Sequence, residues 1–308
     1  MGRFFNSLLD SDYSSDEKLW LEKLCRQGIE PIAPLIMVFF QQETKVKQRV
    51  ALLKVIERFT FFVYLVRHQH YMDVDNYMFL ELSTRLTKRE ITPEKVIEEI
   101  EERLEKTKKD KQLITIIKDS FKRGGFYNWR GIKYFLYEYD LHLKSQSKTN
   151  RDKIVWESFI EDPADHHTVE HVYPQRPRKD CWTKLYEKYS SQEKSLLRHS
   201  LGNLVPLSRA KNSSFQNSCF ETKLGTEENK VGFRYGSYAE NEIACKSTWT
   251  ANDILERGLK LLTFMEERWG IGFGDNAEKI RFLNLSFVTK KEENITKPSS
   301  GRAKGARR

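Results

Sequence analysis

Val169-Glu170-His171-Val172-Tyr173-Pro174-Gln175, followed by Leu201-Gly202-Asn203-Leu204-Val205-Pro206-Leu207 and then by Asn212 and Asn217-Ser218-Cys219-Phe220-Glu221-Thr222-Lys223, is the part of the chain that decides how the rest is read. Thr168 to Tyr173 and Asn203 to Leu207 are short runs of β-branched or apolar residues. Each has a turn signal, Pro174 after the first and Gly202 before the second, so both predict strands. Between them Ser190-x-x-Glu193 is a capping box that starts a short helix ending near His199. Arg209 to Phe220 reads as helix. The order is strand, long loop, strand, helix.

The polar residues on this frame form a set. Phosphodiester hydrolysis needs a base to deprotonate water, a metal to neutralise developing charge, and something to hold the base at its angle. His171 suits the base, since an imidazole titrates near neutrality. Glu170 precedes it on the strand and points to the opposite face, but the two can serve one centre if the strand ends there, as Pro174 suggests. Asn203, at the start of the second strand, can pin the loop carrying His171 through its amide. Asn212 offers a hard, neutral amide oxygen compatible with magnesium or manganese. Each residue alone also fits a bland role: Glu-His as a surface pair, Asn203 as turn chemistry after Gly202, Asn212 as an ordinary helix residue. His166 and His167 beside Asp165 read as a polar approach loop. His68, His70 and His199 read as helix-end residues facing the negative dipole end.

Upstream the chain reads as helices. Ser14-x-x-Glu17 caps a helix with Leu19, Trp20 and Leu24. Val50, Leu53, Ile56, Phe59 and Val63 recur at helical spacing over about 45–67. Thr92-Pro93-Glu94 starts a helix from Val96 to Phe121 whose Glu and Lys residues form a solvated face. Gly124-Gly125 breaks the pattern before an amphipathic helix containing Ile132, Phe135, Leu136 and Tyr139. The polar stretch from Lys144 to Lys153 predicts a boundary or exposed loop. Thr250-x-x-Asp253 opens a helix with Ile254, Leu261, Met265 and Trp269 on one face, ended by Gly270 and Gly272. From about Lys290 the chain is polar and basic and is expected to be disordered.

At 308 residues, with 39% hydrophobic and 12% aromatic content, there is enough apolar material for a substantial core. The net charge of +9 and the pI of about 9.2 favour a polyanionic partner, nucleic acid before a membrane face. No apolar run approaches the ~20 residues that span a bilayer. Gly2 is followed by Asn6 where a myristoylation signal wants Ser or Thr, so no lipid anchor is expected. Cys25, Cys181, Cys219 and Cys245 form no C-x-x-C pair, which argues against a zinc site and a disulfide framework; the expectation is free thiols in a reducing cytoplasm.

Taken together, Glu-His-Val-x-Pro-Gln, then Leu-Gly-Asn-Leu-x-x-Leu, then Asn-x-x-x-x-Asn-x-x-Phe-x-x-Lys resembles the HNH nuclease domain that ends GmrSD-type restriction endonucleases. Trp249-Thr250 with Ile254, Arg257 and Trp269 looks like that domain's closing helix, and Trp129 to Tyr139 looks like its helical lead-in. The resemblance implies a ββα-metal fold inserted in helices and metal-dependent cutting of DNA. It makes His171 the general base, Glu170 the first-strand acid that binds metal, Asn203 the central asparagine and Asn212 the third position, where the namesake pattern has His. Asn217 and Lys223 match the next motif, with Lys223 expected on a phosphate. Relatives carry an N-terminal nucleotide-hydrolysing domain with Asp-Gly-Gln-Gln-Arg. This chain has neither that motif nor a P-loop, so it resembles the cutting half alone, with the other half a separate polypeptide or a missing N-terminal domain.

The combined expectation is an α+β, mainly α-helical protein with an HNH motif embedded in helices. It divides into a helical domain at 1–145, a nuclease domain at 146–275 and a C-terminal extension at 276–308. One Mg2+ or Mn2+ per site and no zinc is expected. DNA phosphates would be held by Arg176, Arg178, Lys179, Arg209 and Lys211. The setting would be a cytoplasmic restriction or phage-defence system, and double-strand cutting would call for a homodimer or two visits. The competing expectation is a non-catalytic nucleic-acid or partner-binding module. A third is a nuclease directed at RNA, since this chemistry does not itself reject a 2′-hydroxyl.

Overall fold

A computed structural model of the chain describes residues 13–28, 32–66, 74–109, 113–121, 125–149, 151–156 and 167–296. The first half is helical. Helix α1 (Ser15–Gln27) starts at the capping box read from sequence: Ser14 accepts from the Glu17 amide and Glu17 reaches back. Helices α2 (Ala33–Gln42) and α3 (Val46–Thr60) follow, and α3 continues as a wider π-helical turn, Phe61–Val66. The Thr60 hydroxyl donates back to the carbonyls of Ile56 and Glu57, competing with the backbone ladder where the turn widens. After α4 (Val74–Thr87), Thr92 caps α5 (Pro93–Lys108). The single helix expected over 96–121 is two, because α5 ends at Lys108 and α6 is Leu113–Ser120. Lys106 and Lys108 occupy the last turn of α5, where cations suit the helix terminus. A 3-10 turn, Gly125–Asn128, leads into α7 (Ile132–Gln146).

The second half contains the described residues' one sheet. Strand β1 (His167–His171) pairs antiparallel with β2 (Leu204–Ser208), in the register His167↔Ser208 to His171↔Leu204. The connection holds α8 (Asp180–Thr183) and α9 (Ser191–His199), the latter opened by the Ser190/Glu193 box. Helix α10 (Arg209–Phe215) follows β2 directly. The expected helix to Phe220 stops early because Gln216 turns at φ +39°; α11 (Phe220–Leu224) resumes beyond it. Helix α12 (Tyr238–Ala244) precedes the long α13 (Ala251–Trp269), capped by Thr250/Asp253 and terminated by Gly270 in the left-handed region. Then come α14 (Asn276–Phe282) and α15 (Ser286–Thr296). The stretch from Lys290 expected to be disordered is helical to Thr296; residues 297–308, with His68, His70, Asp165 and His166, lie outside the described residues. This is an α+β architecture in which helix dominates. No helix among the described residues is long and apolar enough to cross a membrane.

Cys181 and Cys219 are joined in a disulfide, which corrects the expectation that all four cysteines are free. Their sequence separation of 38 gave no motif, but the turn before α11 lies against α8, where the Trp182 indole donates to the Ser218 carbonyl at 3.0 Å. In the chain-entropy account a cross-link closing such a loop contributes about 4 kcal/mol. Cys25 and Cys245 are exposed and lie outside that bond.

Buried apolar residues of both halves form one cluster. At its centre Phe61 stacks on Trp269 with centroids 3.7 Å apart. Beside them Glu57 of α3 is wholly buried. Its carboxylate accepts from Gln27 Nε2 (3.0 Å), Tyr134 Oη (2.7 Å), Trp269 Nε1 (3.0 Å) and Arg268 (3.1 Å). Arg268 also pairs with Glu138, which is held by Lys23. One carboxylate thus ties α1, α3 and α7 to the end of α13. Glu57→Ala leaves these donors without their acceptor, and urea unfolding is expected to show a loss of about 3–5 kcal/mol. An unchanged midpoint would remove Glu57 from this role.

Candidate active site at the end of the hairpin

The β1–β2 hairpin ends where the three quoted motifs meet. Beyond the last paired residues, the Val172 amide still donates to the Asn203 carbonyl at 3.0 Å. Asn203 closes a 3-10 turn, Leu201–Asn203, and is fully buried. Its Oδ1 accepts from the Tyr173 amide (2.8 Å) and the Trp249 indole (3.0 Å). Its Nδ2 donates to the carbonyls of Tyr173 and Arg198, both at 2.9 Å. The chain after β1, the end of α9 and the segment before α13 are thereby fixed to one amide. Gly202 makes the turn possible: a Cβ there would lie 2.0 Å from the Ile254 carbonyl oxygen of α13. Arg257 of α13 donates to the carbonyls of Gly202 (2.9 Å) and Leu204 (2.7 Å) while its Nε pairs with Glu242 at 3.1 Å.

His171 occupies the last position of β1 and is 1% exposed. The Tyr127 ring lies 4.4 Å away, centroid to centroid. Its Nε2 is 3.3 Å from His199 Nδ1, and its Nδ1 is 3.3 Å from Gln175 Nε2. Burial drives the imidazole pKa down to about 3, with His199, Lys223 and Arg198 adding like-charge pressure. The ring is therefore neutral at neutral pH, with both nitrogens engaged.

Glu170 lies among Asn212, Lys223 and Tyr127. Burial holds its carboxyl above the usual carboxylate range, partly offset by Lys223, the His171 amide and a hydrogen bond from Asn212. Asn212, on α10, also donates to the Thr168 hydroxyl at 2.9 Å. Lys223, on α11, is fully buried; its Nζ donates to the carbonyls of Val172 (3.1 Å) and His171 (3.4 Å), and burial lowers its pKa to about 8. In this conformation Lys223 holds the backbone of the candidate base and faces Glu170, rather than reaching outward to a phosphate.

Glu170, His171, Asn203 and Asn212 thus share one end of the hairpin and the helix packed on it. Asn217 is half-buried in the turn between α10 and α11. Arg176, Arg178 and Lys179 are exposed in the segment after β1, and Arg209 is exposed at the start of α10. Lys211 is instead tied to Glu240 (2.6 Å) and the Gly232 carbonyl (3.2 Å), which makes it a clamp on α12. The sequence reading missed Tyr127, which has no motif or spacing linking it to β1, and gave His199 only a helix-end role. Gln175 stood inside the quoted motif without an assignment.

Glu170 offers a hard cation a desolvated carboxylate; Asn212 turns its Nδ2 toward Glu170 and the Thr168 hydroxyl, so its Oδ1 would join the same ion once the amide rotates. Among the described residues no group of three His, Cys, Asp or Glu is placed to hold a metal, so any ion here would take this pair and complete its shell from water and substrate. His171 also has a pH consequence. Its native pKa of about 3 lies below its unfolded value, so between about pH 3 and 6.5 the unfolded chain binds a proton that the native chain refuses. Stability from this group rises with pH across that window and is lost on acidification. His171→Gln is expected to flatten the slope of unfolding free energy against pH there, and an unchanged slope would contradict the burial.

No curated protein and no solved structure matches the chain. The family described as GmrSD restriction endonucleases, C-terminal domain, matches residues 83–264, which include both strands, Asn203, Asn212, Lys223 and most of α13. With more than half of its length matched, the chain belongs to the C-terminal domain family of the GmrSD restriction endonucleases.

Proposed function

We propose that this protein is a divalent-metal-dependent endonuclease that hydrolyses DNA phosphodiester bonds with an HNH, or ββα-metal, site. What supports the reading is the hydrogen bond from Asn212 to Glu170, with His171 the next residue at the end of β1, on a hairpin end fixed by Asn203. Glu170 and the Asn212 amide oxygen would hold Mg2+ or Mn2+, which when bound offsets the charge developing on the phosphate and the leaving oxygen. His171 takes the proton of the attacking water. Asn203 fixes the backbone on which His171 sits, and Lys223 anchors the His171 and Val172 carbonyls while opposing the charge of Glu170. The exposed Arg176, Arg178, Lys179 and Arg209 line up the polyanion. Each phosphate they neutralise adds about −0.9 to the slope of log affinity against log salt on duplex DNA. The whole enzyme would be a restriction or phage-defence system, with nucleotide hydrolysis supplied by another domain or subunit.

One observation favours a second reading, a module that binds nucleic acid without cutting it. His171 is covered by Tyr127 and His199, and neither ring nitrogen faces open solvent. The nuclease reading therefore requires His199 or Tyr127 to shift when substrate arrives. Plasmid incubated with Mg2+ or Mn2+ separates the two. The nuclease reading expects cleavage that EDTA stops and that His171→Ala lowers by about 10²- to 10⁴-fold, the usual range for a general base. Salt-sensitive binding with no metal-dependent cleavage would favour the module, and cleavage indifferent to His171→Ala would remove this residue from the mechanism. A matched RNA substrate in the same assay reads the preference for DNA.

A further inference from the structure

Behind the cover of His171 lies a cavity that the proposed reaction does not use. Its volume is about 290 Å³, and it is bounded by Gly125 and Phe126 of the 3-10 turn, by Ser195, His199 and Ser200 at the end of α9, and by Asn284 ahead of α15. The Phe126 ring stacks on Phe121 at 4.1 Å along one side. Among the described residues that line it there is no carboxylate, lysine or arginine. Ser200 is 3% exposed, and its buried hydroxyl has no hydrogen-bond partner. A buried hydroxyl left unpaired is costly, and a small shift of the wall that closes it off would let a ligand in the chamber meet it.

The chamber opens onto charge. A neighbouring depression of about 420 Å³ shares Leu196 and Asn284 with it and adds Lys118, Arg281 and Ser286. Ser286 is the first residue of the 11-residue α15; the Val288 amide of that first turn is taken by the Leu285 carbonyl at 2.9 Å, and the amides ahead of it, which have no carbonyl in the preceding helical turn to meet, favour an anion. Arg281 pairs only loosely with Glu278, at 4.0 Å with both groups exposed, so its guanidinium can turn to a ligand. A neutral chamber walled by Asn128, Ser195, His199 and Asn284, with aromatic rings and an unpaired hydroxyl packed just behind the wall and a cationic depression adjoining it, has the chemistry of a nucleoside beside a phosphate. We infer that this paired cavity binds a mononucleotide unit, with base or sugar in the chamber against Phe126 and Ser200 and the phosphate at Lys118, Arg281 and the start of α15.

The position gives the site a consequence. His199 is a wall of the chamber, and its Nδ1 is the atom 3.3 Å from His171 Nε2. Gly125 packs so closely on α9 that a Cβ there would lie 2.4 Å from the His199 carbonyl oxygen. A ligand that displaces His199 or the 3-10 turn thus moves the groups covering His171. This coupling rests on the nuclease reading; binding itself does not.

The nucleotide can be free in solution or turned out of a strand bound at His171. Calorimetry with the four nucleoside monophosphates, in EDTA so that no cleavage is involved, tests the site directly. Saturable binding is expected. Lys118→Ala with Arg281→Ala should weaken it about tenfold or more, as expected for lost charged hydrogen bonds, and Leu196→Trp, which fills the chamber, should abolish it. Circular dichroism checks that the variants are folded. A short single-stranded DNA that displaces the mononucleotide, where its abasic counterpart does not, assigns the occupant to a strand; failure to displace assigns it to the free nucleotide. No saturable binding of either probe, or binding that both variants leave unchanged, overturns the site. Because cutting is not read, a protein that binds but does not cleave keeps this inference and loses only the nuclease reading.

Discussion

The Asn203 side chain uses its full hydrogen-bonding capacity inside the protein: two donors to Oδ1 and two carbonyls for Nδ2. Those four partners belong to the chain leaving β1, the end of α9 and the segment before α13. A buried amide so paired is stable, whereas the same amide with one partner missing is expensive. The geometry is therefore nearly all-or-none: if Asn203 is in place, the backbone after His171 is in place. Gly202 and Arg257 extend the constraint into α13, whose far end meets the Glu57 network of the helical half. The site end of the hairpin and the large core are mechanically one body.

On that frame the polar groups are dry. Burial acts on three of them in the direction that disfavours charge: His171 and Lys223 are lowered, and Glu170 is raised. Glu170 and Lys223 offset each other in part, while His171 has no carboxylate raising it. Such a site holds an imidazole that is neutral but whose basicity burial weakens, and a carboxylate whose desolvation a cation would relieve. Tyr127 and His199 complete the dryness by lying against His171. The same contacts make access to the imidazole a conformational event, which gives the cavity behind His199 its interest.

Much of the frame was legible in the sequence because its signals are local. Ser14/Glu17, Ser190/Glu193 and Thr250/Asp253 are capping boxes whose spacing alone fixes a helix start. The two strands were found to within a residue or two, and Asn212 fell on the helix expected of it, while Asn203 closes a 3-10 turn just ahead of the strand it was expected to start. What escaped depends on contacts between distant segments. The Cys181–Cys219 bond has no spacing signature. Lys223 read as a phosphate contact, because nothing in Phe-Glu-Thr-Lys says that its amine turns inward to two carbonyls. Tyr127 reaches His171 only because Gly125 lets the 3-10 turn press onto α9. Lys211 drew attention by charge, yet Glu240 and the Gly232 carbonyl already hold it.

The central proposal is that Glu170, with the Asn212 amide turned to present its oxygen, holds one hard cation at the end of β1 that carries His171. Manganese titration followed by electron paramagnetic resonance reads this most directly. The account predicts one bound Mn2+ per chain, weakened about tenfold or more by Glu170→Gln and by Asn212→Ala, as for loss of a charged or coordinating contact, and kept by His171→Ala. Manganese uptake that neither Glu170→Gln nor Asn212→Ala changes, or no uptake at all, would contradict it.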